Sequence, residues 1–380
     1  MPTSLTRRRF AVSLGPAVLA AAPSTRVESV KVISHLPRYY HAWPTLVRRQ
    51  SGELVAAYSG GREGHVCPFG RVELMRSLDG GRTWSWPQVV MDTPIDDRDA
   101  GVLETSRGTL LVTTFTSLAY DKVFAEAQGW DADRIERWKA VNRATSQDQR
   151  RGLLGAWMLR SNDGGATWSS PYRVPVTSPH GPLALSDGRL VYAGKEYPGS
   201  GRIGVCESSD DGFSWRWLAT IPSRPGDRFE DYHELHAVET TRGRIIVHIR
   251  NHNKANERET LQSESADGGK TWSVPRPIGV WGLPSHLLRL RDGRLCMSYG
   301  YRRPPRGNHV RLSEDQGLTW STPIVISDDG TGDIGYPSTV ELETGDLLTL
   351  WYESKRSGSV AVKLPEPPLS ELRLARWRPG

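Results

Sequence analysis

Cysteine is scarce in this sequence, because only Cys67, Cys206 and Cys296 occur among its 380 residues. The three thiols are scattered and lack the paired spacing of metal-binding motifs. The sequence therefore predicts neither a zinc site nor a disulfide framework. No other pattern in it requires a metal ion or an organic cofactor.

Concentrated charge and a long apolar segment are missing as well. The formal net charge is +6, and the 49 basic and 43 acidic residues are spread along the chain. Without a basic cluster, nucleic acid is not an expected partner, whereas an anionic sugar is compatible with the basic excess. The N-terminal apolar run from Ala11 to Ala22 is too short for a transmembrane anchor.

The N-terminal residues 1–24 instead have the features of an export signal. Thr6-Arg-Arg-Arg-Phe10 resembles a twin-arginine motif, and the apolar run that follows ends in small residues suited to cleavage. We therefore expect an exported protein, periplasmic or extracellular. Its mature part is predicted to be a single domain over residues 25–380.

Tryptophan and glycine, in contrast, are plentiful, with 14 and 38 residues, and both belong to a repeated motif. The motif has the form S-x-D-x-G-x-[ST]-W, which suits a turn. Its Asp can accept hydrogen bonds from backbone N–H groups, its Gly can take a positive φ, and its Trp can pack beneath the turn. Five copies begin at Ser77, Ser161, Ser208, Ser265 and Ser313. We call each copy a box, and we expect the boxes to stabilise the fold and to take no part in catalysis.

A second repeat consists of an alternating apolar strand, a short turn with glycine, and another strand. Six copies follow one another at a spacing of about 50 residues, as in radially repeated folds. Their turn glycines are Gly52, Gly108, Gly188, Gly243, Gly293 and Gly345. The sequence therefore predicts an all-β, six-bladed β-propeller. The sixth blade lacks a box, so we expect its outer strands from Ser370 to Trp377 and from Val27 to Ser34, which would close the ring.

One segment interrupts this repeat. Residues 117–152 lengthen the gap between the first two boxes, and Asp121 to Ala144 has a helical composition without a strand pattern. We predict a helical insertion in the second blade. Its position near the acidic segment Asp96 to Asp99 leads to the hypothesis that it forms a lid.

The residues that begin the six hairpins are expected to converge, because the first strand of each propeller blade lines the central channel. These positions are unusually rich in ionisable side chains, which indicates an active site. The polar positions are His41, Asp96 to Asp99, His180, Glu230 to His236, His286 and Tyr336.

The five boxes and the last hairpin, Gly335-Tyr-Pro-Ser-Thr-Val, resemble the sialidase (neuraminidase) superfamily. The resemblance implies a nucleophilic tyrosine at Tyr336 and a glutamate, Glu234, that takes the phenol proton. It also implies carboxylate-binding arginines at Arg250 and Arg306, with Glu353 as the acidic residue that orients them. The implied activity is exo-acting hydrolysis of an acidic or highly hydroxylated sugar in a glycan or oligosaccharide.

The sequence departs from the family pattern in its first blade. Ala42-Trp43 precedes Pro44 where the family carries its first arginine, and the usual acid/base aspartate is absent near Pro68. Other residues must therefore supply these roles. The candidates for the acid/base are Asp97, Asp99 and His65. The candidates for additional substrate binding are Arg62, Arg98, His180, His233, His236 and His286.

Two other functions are compatible with the same scaffold. The channel histidines could supply the base of a polysaccharide lyase or act in a histidine-dependent glycosidase. Asp-box propellers can also act as non-catalytic modules that bind glycans. The sequence leaves the sugar, its linkage, the stereochemical course and the oligomeric state open.

Overall fold

A computed structural model describes residues 26–127, 129–330, 332–354 and 369–380. The predicted export signal lies outside the described residues. Within them the chain is all-β apart from one helical insertion, a short 3₁₀ turn at Phe229–Asp231 and connecting loops.

The first half of the described chain contributes fourteen strands. They are β1 (Arg26–Val32), β2 (Tyr40–Arg48), β3 (Leu54–Arg62), β4 (Arg71–Ser77), β5 (Gln88–Met91), β6 (Asp96–Glu104), β7 (Leu110–Ser117), β8 (Ala156–Ser161), β9 (Tyr172–Val174), β10 (Val176–Thr177), β11 (Leu183–Ala184), β12 (Leu190–Glu196), β13 (Ile203–Ser208) and β14 (Arg216–Thr220).

The second half contributes the remaining strands of the described residues. They are β15 (Tyr232–Glu239), β16 (Ile245–Asn251), β17 (Leu261–Ser265), β18 (Arg276–Pro277), β19 (Ser285–Arg289), β20 (Leu295–Tyr301), β21 (Gly307–Ser313), β22 (Ile324–Ser327), β23 (Ile334–Glu341), β24 (Leu347–Ser354) and β25 (Ser370–Arg378).

The strands form successive antiparallel meanders in a propeller-like arrangement. Three sheets have four strands each, β6-β7-β8-β9, β15-β16-β17-β18 and β19-β20-β21-β22, and a fourth sheet contains β10 to β14. The fifth sheet has eight strands in the order β23-β24-β25-β2-β3-β4-β5, with β1 on β25. The described residues therefore form five sheets, whereas the sequence predicted six separate blades. The difference arises where β2 pairs with β25 through a single parallel bridge, Tyr40 to Ser370.

The core lies between the faces of neighbouring sheets. Val55 and Leu74, from β3 and β4, pack with Val102 and Val112 from β6 and β7, and all four are buried. Strand β24 is buried along its whole length, as expected for a strand covered on both faces. Burial of this apolar surface is the main force that holds the sheets around a common centre.

Both ends of the described chain meet in one sheet. Strand β25 pairs with β24 on one side and with β1 on the other, which agrees with the predicted outer strands of the last repeat. Trp377 of β25 is fully buried, and its indole N–H donates a hydrogen bond to the Thr349 hydroxyl at 2.9 Å. The C-terminal strand therefore ties the N-terminal strand to the last hairpin.

The five boxes occupy equivalent turns, each between the third and fourth strands of a meander. In the fourth copy, the Ser265 hydroxyl donates to Asp267 at 2.8 Å and accepts from the Gly269 N–H at 2.9 Å. Asp267 also accepts hydrogen bonds from the Thr271 N–H at 2.9 Å and the Thr271 hydroxyl at 2.6 Å. These bonds hold the pKa of the carboxyl well below its ordinary value. The box is a self-contained turn.

The Ser265→Ala variant is expected to lower the free energy of unfolding by about 1–3 kcal/mol, because it leaves the buried Gly269 N–H without an acceptor. Urea denaturation measures this loss. The matched control is Lys270→Ala at an exposed position of the same turn, which should stay within about 0.5 kcal/mol of wild type. Equal effects of the two changes would contradict the structural role of the box serine.

The predicted helical insertion is present between β7 and β8. It consists of α1 (Tyr120–Ala125), α2 (Ala132–Ala144) and α3 (Gln147–Gly152). Buried Trp138 of α2 packs with Cys67 and donates a hydrogen bond from its indole N–H to Glu63 at 2.9 Å. The insertion is thus anchored to the loop that follows β3. No helix in the described part of the chain is long and apolar enough to cross a bilayer.

Candidate active site

The inner strands are the first strands of the hairpins, which line the central axis. Four of them, β2, β6, β15 and β23, share an irregularity near their N-terminal ends. Trp43, Asp99, Glu234 and Tyr336 have positive φ angles of 52°, 50°, 29° and 54°. Each lies where the pairing of its hairpin shifts register. Such conformations cost about 1–3 kcal/mol each in non-glycine residues and cluster at functional sites. Their repetition in four hairpins marks one end of the axis as the candidate site.

Tyr336 and Glu234 form a short hydrogen bond at the centre of this site. The phenol donates to the Glu234 Oε1 at 2.5 Å, and the guanidinium of Arg250 contacts both partners. Its Nη1 lies 2.5 Å from the Glu234 Oε2 and 3.2 Å from the Tyr336 hydroxyl. The structure therefore brings Tyr336 of β23 together with Glu234 and Arg250 of another hairpin. These three residues are called the trio below.

The electrostatics of this trio favour a neutral phenol beside an ionised carboxylate. Burial, followed by the charge of Glu234, raises the pKa of Tyr336 well above its ordinary value. Burial also opposes ionisation of Glu234, but Arg250 and the hydrogen bond from Tyr336 outweigh it and lower the pKa of the carboxyl. Glu234 is thus an ionised base in contact with the proton of Tyr336.

Asp99 is a second carboxyl in the electrostatic field of Glu234 and Arg250. Its side chain is buried, and its Oδ1 has no hydrogen-bond partner within the described residues. Burial is the largest effect and raises the pKa of this carboxyl to about 7. Asp99 therefore carries a proton below neutral pH.

A cavity of about 280 Å³ adjoins the trio and is rich in arginine. Its lining residues are Arg250, His252, Arg258, Leu283, Arg302, Arg306, Gly332 and Asp333. Arg302 donates to the Ile334 carbonyl at 3.1 Å and lies 3.4 Å from the Asp333 carboxylate. The predicted Arg306 is in this cavity, but Arg302 is the residue whose environment includes Tyr336 and Arg250.

Asp333 connects the arginine cavity to the first hairpin. Its Oδ2 lies 2.8 Å from the Nδ1 of His65 and accepts a hydrogen bond from the Tyr40 hydroxyl at 2.8 Å. Glu353, predicted to orient the arginines, instead accepts from the Trp351 indole at 3.2 Å and lies 3.4 Å from Arg373. Glu353 therefore pairs with Arg373, whereas Asp333 pairs with Arg302 of the arginine cavity.

Two predicted residues lie behind the site. Arg62 is fully buried and donates to both Asp96 oxygens at 2.6 and 2.9 Å, to Ser59, and to backbone carbonyls that include that of His65. These bonds occupy its donors. Asp97 accepts from the Thr93 N–H and hydroxyl at 2.8 and 2.9 Å, and burial raises its pKa to about 8. Both residues therefore support the site from beneath.

Arg98 and Trp43 form the wall where the family pattern has its first arginine. The Arg98 guanidinium lies 4.2 Å from the centre of the Trp43 ring and donates to the His65 carbonyl at 2.9 Å. The Trp43 ring in turn packs edge-on against Tyr336, with 6.3 Å between ring centres. An aromatic ring held by a cation thus replaces a free guanidinium at this position.

Three predicted histidines, His180, His236 and His286, lie close together near the axis. The rings of His180, His236 and His286 are 4.5–5.4 Å apart, and His180 lies 6.5 Å from the Tyr336 ring. All three are buried, and burial lowers their pKa values well below the ordinary value. They line a separate cavity of about 330 Å³ at the opposite ends of the inner strands.

His233 is apart from this cluster. Its ring packs on that of His252 at 4.7 Å, and burial, with Lys195, lowers its pKa to about 4. Across the residues that the structure describes, no group of three or more His, Cys, Asp or Glu side chains is arranged to hold a metal ion.

Arg302, Asp333 and Tyr40 were not predicted from the sequence. Arg302 directly follows the second strand of its hairpin, in a position comparable to that of Arg250 near the end of β16. Asp333 directly precedes β23, where other hairpins begin with polar residues. Comparing the residues at the ends of the hairpin strands across the repeats could have identified both Arg302 and Asp333.

Fold and site together define an Asp-box protein of the propeller class with a tyrosine, a glutamate and arginines at one end of its axis. The profile of the BNR repeat-like domain family matches residues 139–348, more than half of the chain. The chain belongs to this family, within the sialidase superfamily.

Individual relatives are distant. The chain is 26% identical over 294 residues to a sialidase of Micromonospora viridifaciens and 25% identical over 348 residues to a sialidase of Bacteroides fragilis. These alignments cover 75% and 82% of this chain, but only 36% and 59% of the two relatives. A crystal structure of a protein of unknown function from Dyadobacter fermentans superposes with a TM-score of 0.73 at 22% identity, covering 94% of this chain and all of that one.

Proposed function

We propose that this protein is a sialidase-like, exo-acting glycoside hydrolase that uses Tyr336 as its nucleophile. The observation that carries the proposal is the 2.5 Å hydrogen bond from Tyr336 to Glu234, with Arg250 in contact with both. A tyrosine is a weak nucleophile unless a base takes its proton as it attacks, and Glu234 is such a base. Some glycosidases use a tyrosine in place of the more common nucleophilic carboxylate.

In the proposed first step the Tyr336 oxygen attacks the anomeric carbon while its proton passes to Glu234. The bond to the leaving group breaks, and that oxygen must gain a proton. In the second step water attacks the same carbon and gives a proton to the group that had protonated the leaving oxygen. The bond from the sugar to Tyr336 breaks, and Tyr336 regains its proton from Glu234. Two displacements give net retention of configuration.

The proposed substrate is an acidic sugar at the end of a glycan or oligosaccharide. Arg250 and Arg302 line one cavity beside Tyr336, and a guanidinium pair can bind a carboxylate through several charge-assisted hydrogen bonds. Trp43 stands where the family pattern has a third guanidinium, but its ring is buried against Tyr336 and Arg98. The name sialidase given to the two relatives supports an acidic substrate and leaves the particular sugar open.

The lyase alternative loses its main support in this arrangement. The channel histidines that motivated it are His180, His236 and His286, which line a separate cavity at the opposite ends of the inner strands from Glu234 and Arg250. A base for β-elimination must reach the substrate carbon. The clustered acids, bases and arginines also distinguish the site from the face of a purely glycan-binding module.

Two further parts of the proposal concern architecture and location. We propose that the eight-stranded sheet comprises two blades, β23-β24-β25-β1 and β2-β3-β4-β5, because only one bridge joins them. The ring would then have six blades. The twin-arginine-like N-terminus supports export to the periplasm or the cell exterior.

A panel of aryl glycosides tests the proposal, with an Arg302→Ala variant as the probe of the acidic group. We expect release of the aryl alcohol from glycosides of acidic sugars. Loss of Arg302 should lower kcat/KM by about 10- to 100-fold, because hydrogen bonds to charged groups contribute about 1.5–3 kcal/mol each.

The matched control is Arg303→Ala, which removes the next arginine in sequence. Arg303 packs on the Trp281 ring at 4.6 Å and lines a neighbouring cavity. Its loss should leave kcat/KM within about two-fold of wild type, as expected for an exposed position away from the reacting groups. Equal losses in both variants, or activity on neutral sugars alone, would contradict the proposed substrate class.

A further inference from the structure

His65 and Asp333 form a carboxylate–imidazole pair at the edge of the site. The His65 Nδ1 lies 2.8 Å from the Asp333 Oδ2, which also accepts the Tyr40 hydroxyl at 2.8 Å. Burial alone would raise the pKa of Asp333, but His65, Arg302 and Tyr40 together hold it well below its ordinary value. The carboxylate is therefore ionised and accepts the Nδ1–H of the imidazole.

This contact determines which ring nitrogen remains for chemistry. With Nδ1–H donated to Asp333, a neutral His65 carries a lone pair on Nε2 and a protonated one carries a hydrogen there. The Nε2 makes no hydrogen bond to any described residue, and the His65 side chain is 30% exposed. The nitrogen that remains for chemistry therefore belongs to a partly exposed side chain.

The position of His65 relative to Tyr336 is set by Trp43. The Trp43 ring packs against the His65 ring at 5.1 Å and against the Tyr336 ring at 6.3 Å. The two residues therefore contact the same indole, which places the His65 ring near Tyr336.

The loop that carries His65 is held on both sides. Arg62 and Arg98 each donate to the His65 backbone carbonyl at 2.9 Å. On the other side, Trp138 and Arg137 of α2 hold the neighbouring Glu63 at 2.9 and 2.7 Å. The helical insertion thus supports this loop, a different role from the lid that the sequence led us to expect.

The other candidates fit the proton-transfer role less well. A group that protonates the leaving group and then takes a proton from water must be accessible to the substrate in the first step and to water in the second. Asp97 is fully buried and bonded to Thr93, and the Asp99 Oδ1 has no access to solvent. His65 is the exposed member of the three.

We propose that His65 is the acid and base of the reaction and that Asp333 is its positioning residue. The inference rests on the proposed hydrolytic function. In the first step the leaving-group oxygen takes the proton from His65 Nε2 as its bond to the anomeric carbon breaks, and Glu234 takes the proton of Tyr336. In the second step the neutral Nε2 takes a proton from the attacking water, while Glu234 returns a proton to Tyr336.

The proposed roles of His65 and Asp333 predict how hydrolytic activity depends on pH. The charged or titratable groups facing His65 are Asp333, Tyr40, Arg62 and Arg98. Burial is the largest effect and lowers the pKa of His65, while Asp333 opposes this. The acid form is lost as pH rises through that lowered pKa, so activity on substrates that need the acid should fall on the alkaline side. Removing the Asp333 charge should move this fall to a lower pH.

The test compares two glycosides of one acidic sugar, a nitrophenyl glycoside with a good leaving group and a methyl glycoside with a poor one. His65→Ala should lower kcat/KM on the methyl glycoside by about 10²- to 10⁴-fold, the usual contribution of a general acid. The loss on the nitrophenyl glycoside should be far smaller, and added imidazole should restore its turnover.

Asp333→Asn should shift the alkaline limb of the pH profile to lower pH. Tyr40→Phe removes a hydrogen bond that competes for the same carboxylate, so it should shift the limb slightly to higher pH. Glu353→Gln, which alters a buried carboxylate outside the site, should leave the profile unchanged.

Two results would contradict the proposed roles of His65 and Asp333. One is an equal loss of kcat/KM on both glycosides in His65→Ala, and the other is an unshifted pH profile in both Asp333→Asn and Tyr40→Phe. Nitrophenyl hydrolysis that depends on Tyr336 would still uphold the proposed function in that case. Hydrolysis that survives Tyr336→Phe would overturn the proposed function itself, and the pair with it.

Discussion

The Tyr336→Phe variant is expected to lose hydrolytic activity by about 10³-fold or more, because it removes the oxygen that would bond to the anomeric carbon. The phenyl ring retains the packing of Tyr336 against Trp43 and Tyr352. The fold should therefore persist while chemistry fails. Steady-state kinetics with an aryl glycoside measures the loss, and thermal denaturation verifies the fold.

A second tyrosine provides the control for this experiment. Tyr58 of β3 is as buried as Tyr336, and its ring packs beside His41 and not against Glu234 or Arg250. The Tyr58→Phe variant also loses one buried hydroxyl, and we expect it to retain full activity. Comparable kinetics of Tyr336→Phe and Tyr58→Phe would show that Tyr336 is not the nucleophile.

The Glu234→Gln variant is expected to lower kcat by about 10²- to 10⁴-fold, the range typical of a lost general base. The amide has almost the same shape as the carboxylate, but it cannot take the proton of Tyr336. It also leaves the positive charge of Arg250 without its 2.5 Å ionic partner. Kinetics at several pH values measures the effect.

The pH profile adds a second criterion to this prediction. Because Arg250 and Tyr336 lower the pKa of Glu234, the wild-type base should stay ionised until pH falls below the ordinary glutamate range. An acid limb that belongs to Glu234 should vanish in Glu234→Gln. Persistence of the same limb, or a loss of less than about ten-fold in kcat, would argue against Glu234 as the base.

Much of the fold could be predicted because the repeats specify it locally. Each box satisfies its own turn, as Ser265 and Asp267 illustrate, and each hairpin signals its turn by a glycine such as Gly243 with positive φ. The joining of two four-strand groups was not predictable, because it depends on a single bridge between residues far apart, Tyr40 and Ser370.

The site was predictable only in part. Tyr336, Glu234 and Arg250 were found because a family motif or a hairpin start marks each position. The sequence could not distinguish the roles of the side chains in the acidic segment of β6, since a register shift between Arg98 and Gly101 decides how they are oriented. That shift turns Asp97 towards Thr93 and leaves Asp99 near Glu234.

The pairing of His65 with Asp333 could not be deduced for a different physical reason. The two residues lie in loops of separate repeats, and only the closed arrangement of the sheets brings them together. A sequence pattern predicts the strands that flank these loops, but it does not predict how far each side chain extends across the axis.

The central claim is that Tyr336 forms the covalent bond to the sugar. Its most direct test is intact-mass and peptide-mapping mass spectrometry after reaction with a fluorinated acidic-sugar substrate whose second step is slow. The proposed mechanism predicts one added sugar per protein molecule, located on Tyr336 and absent from Tyr336→Phe. An adduct on another residue, or continued hydrolysis without any adduct, would contradict it.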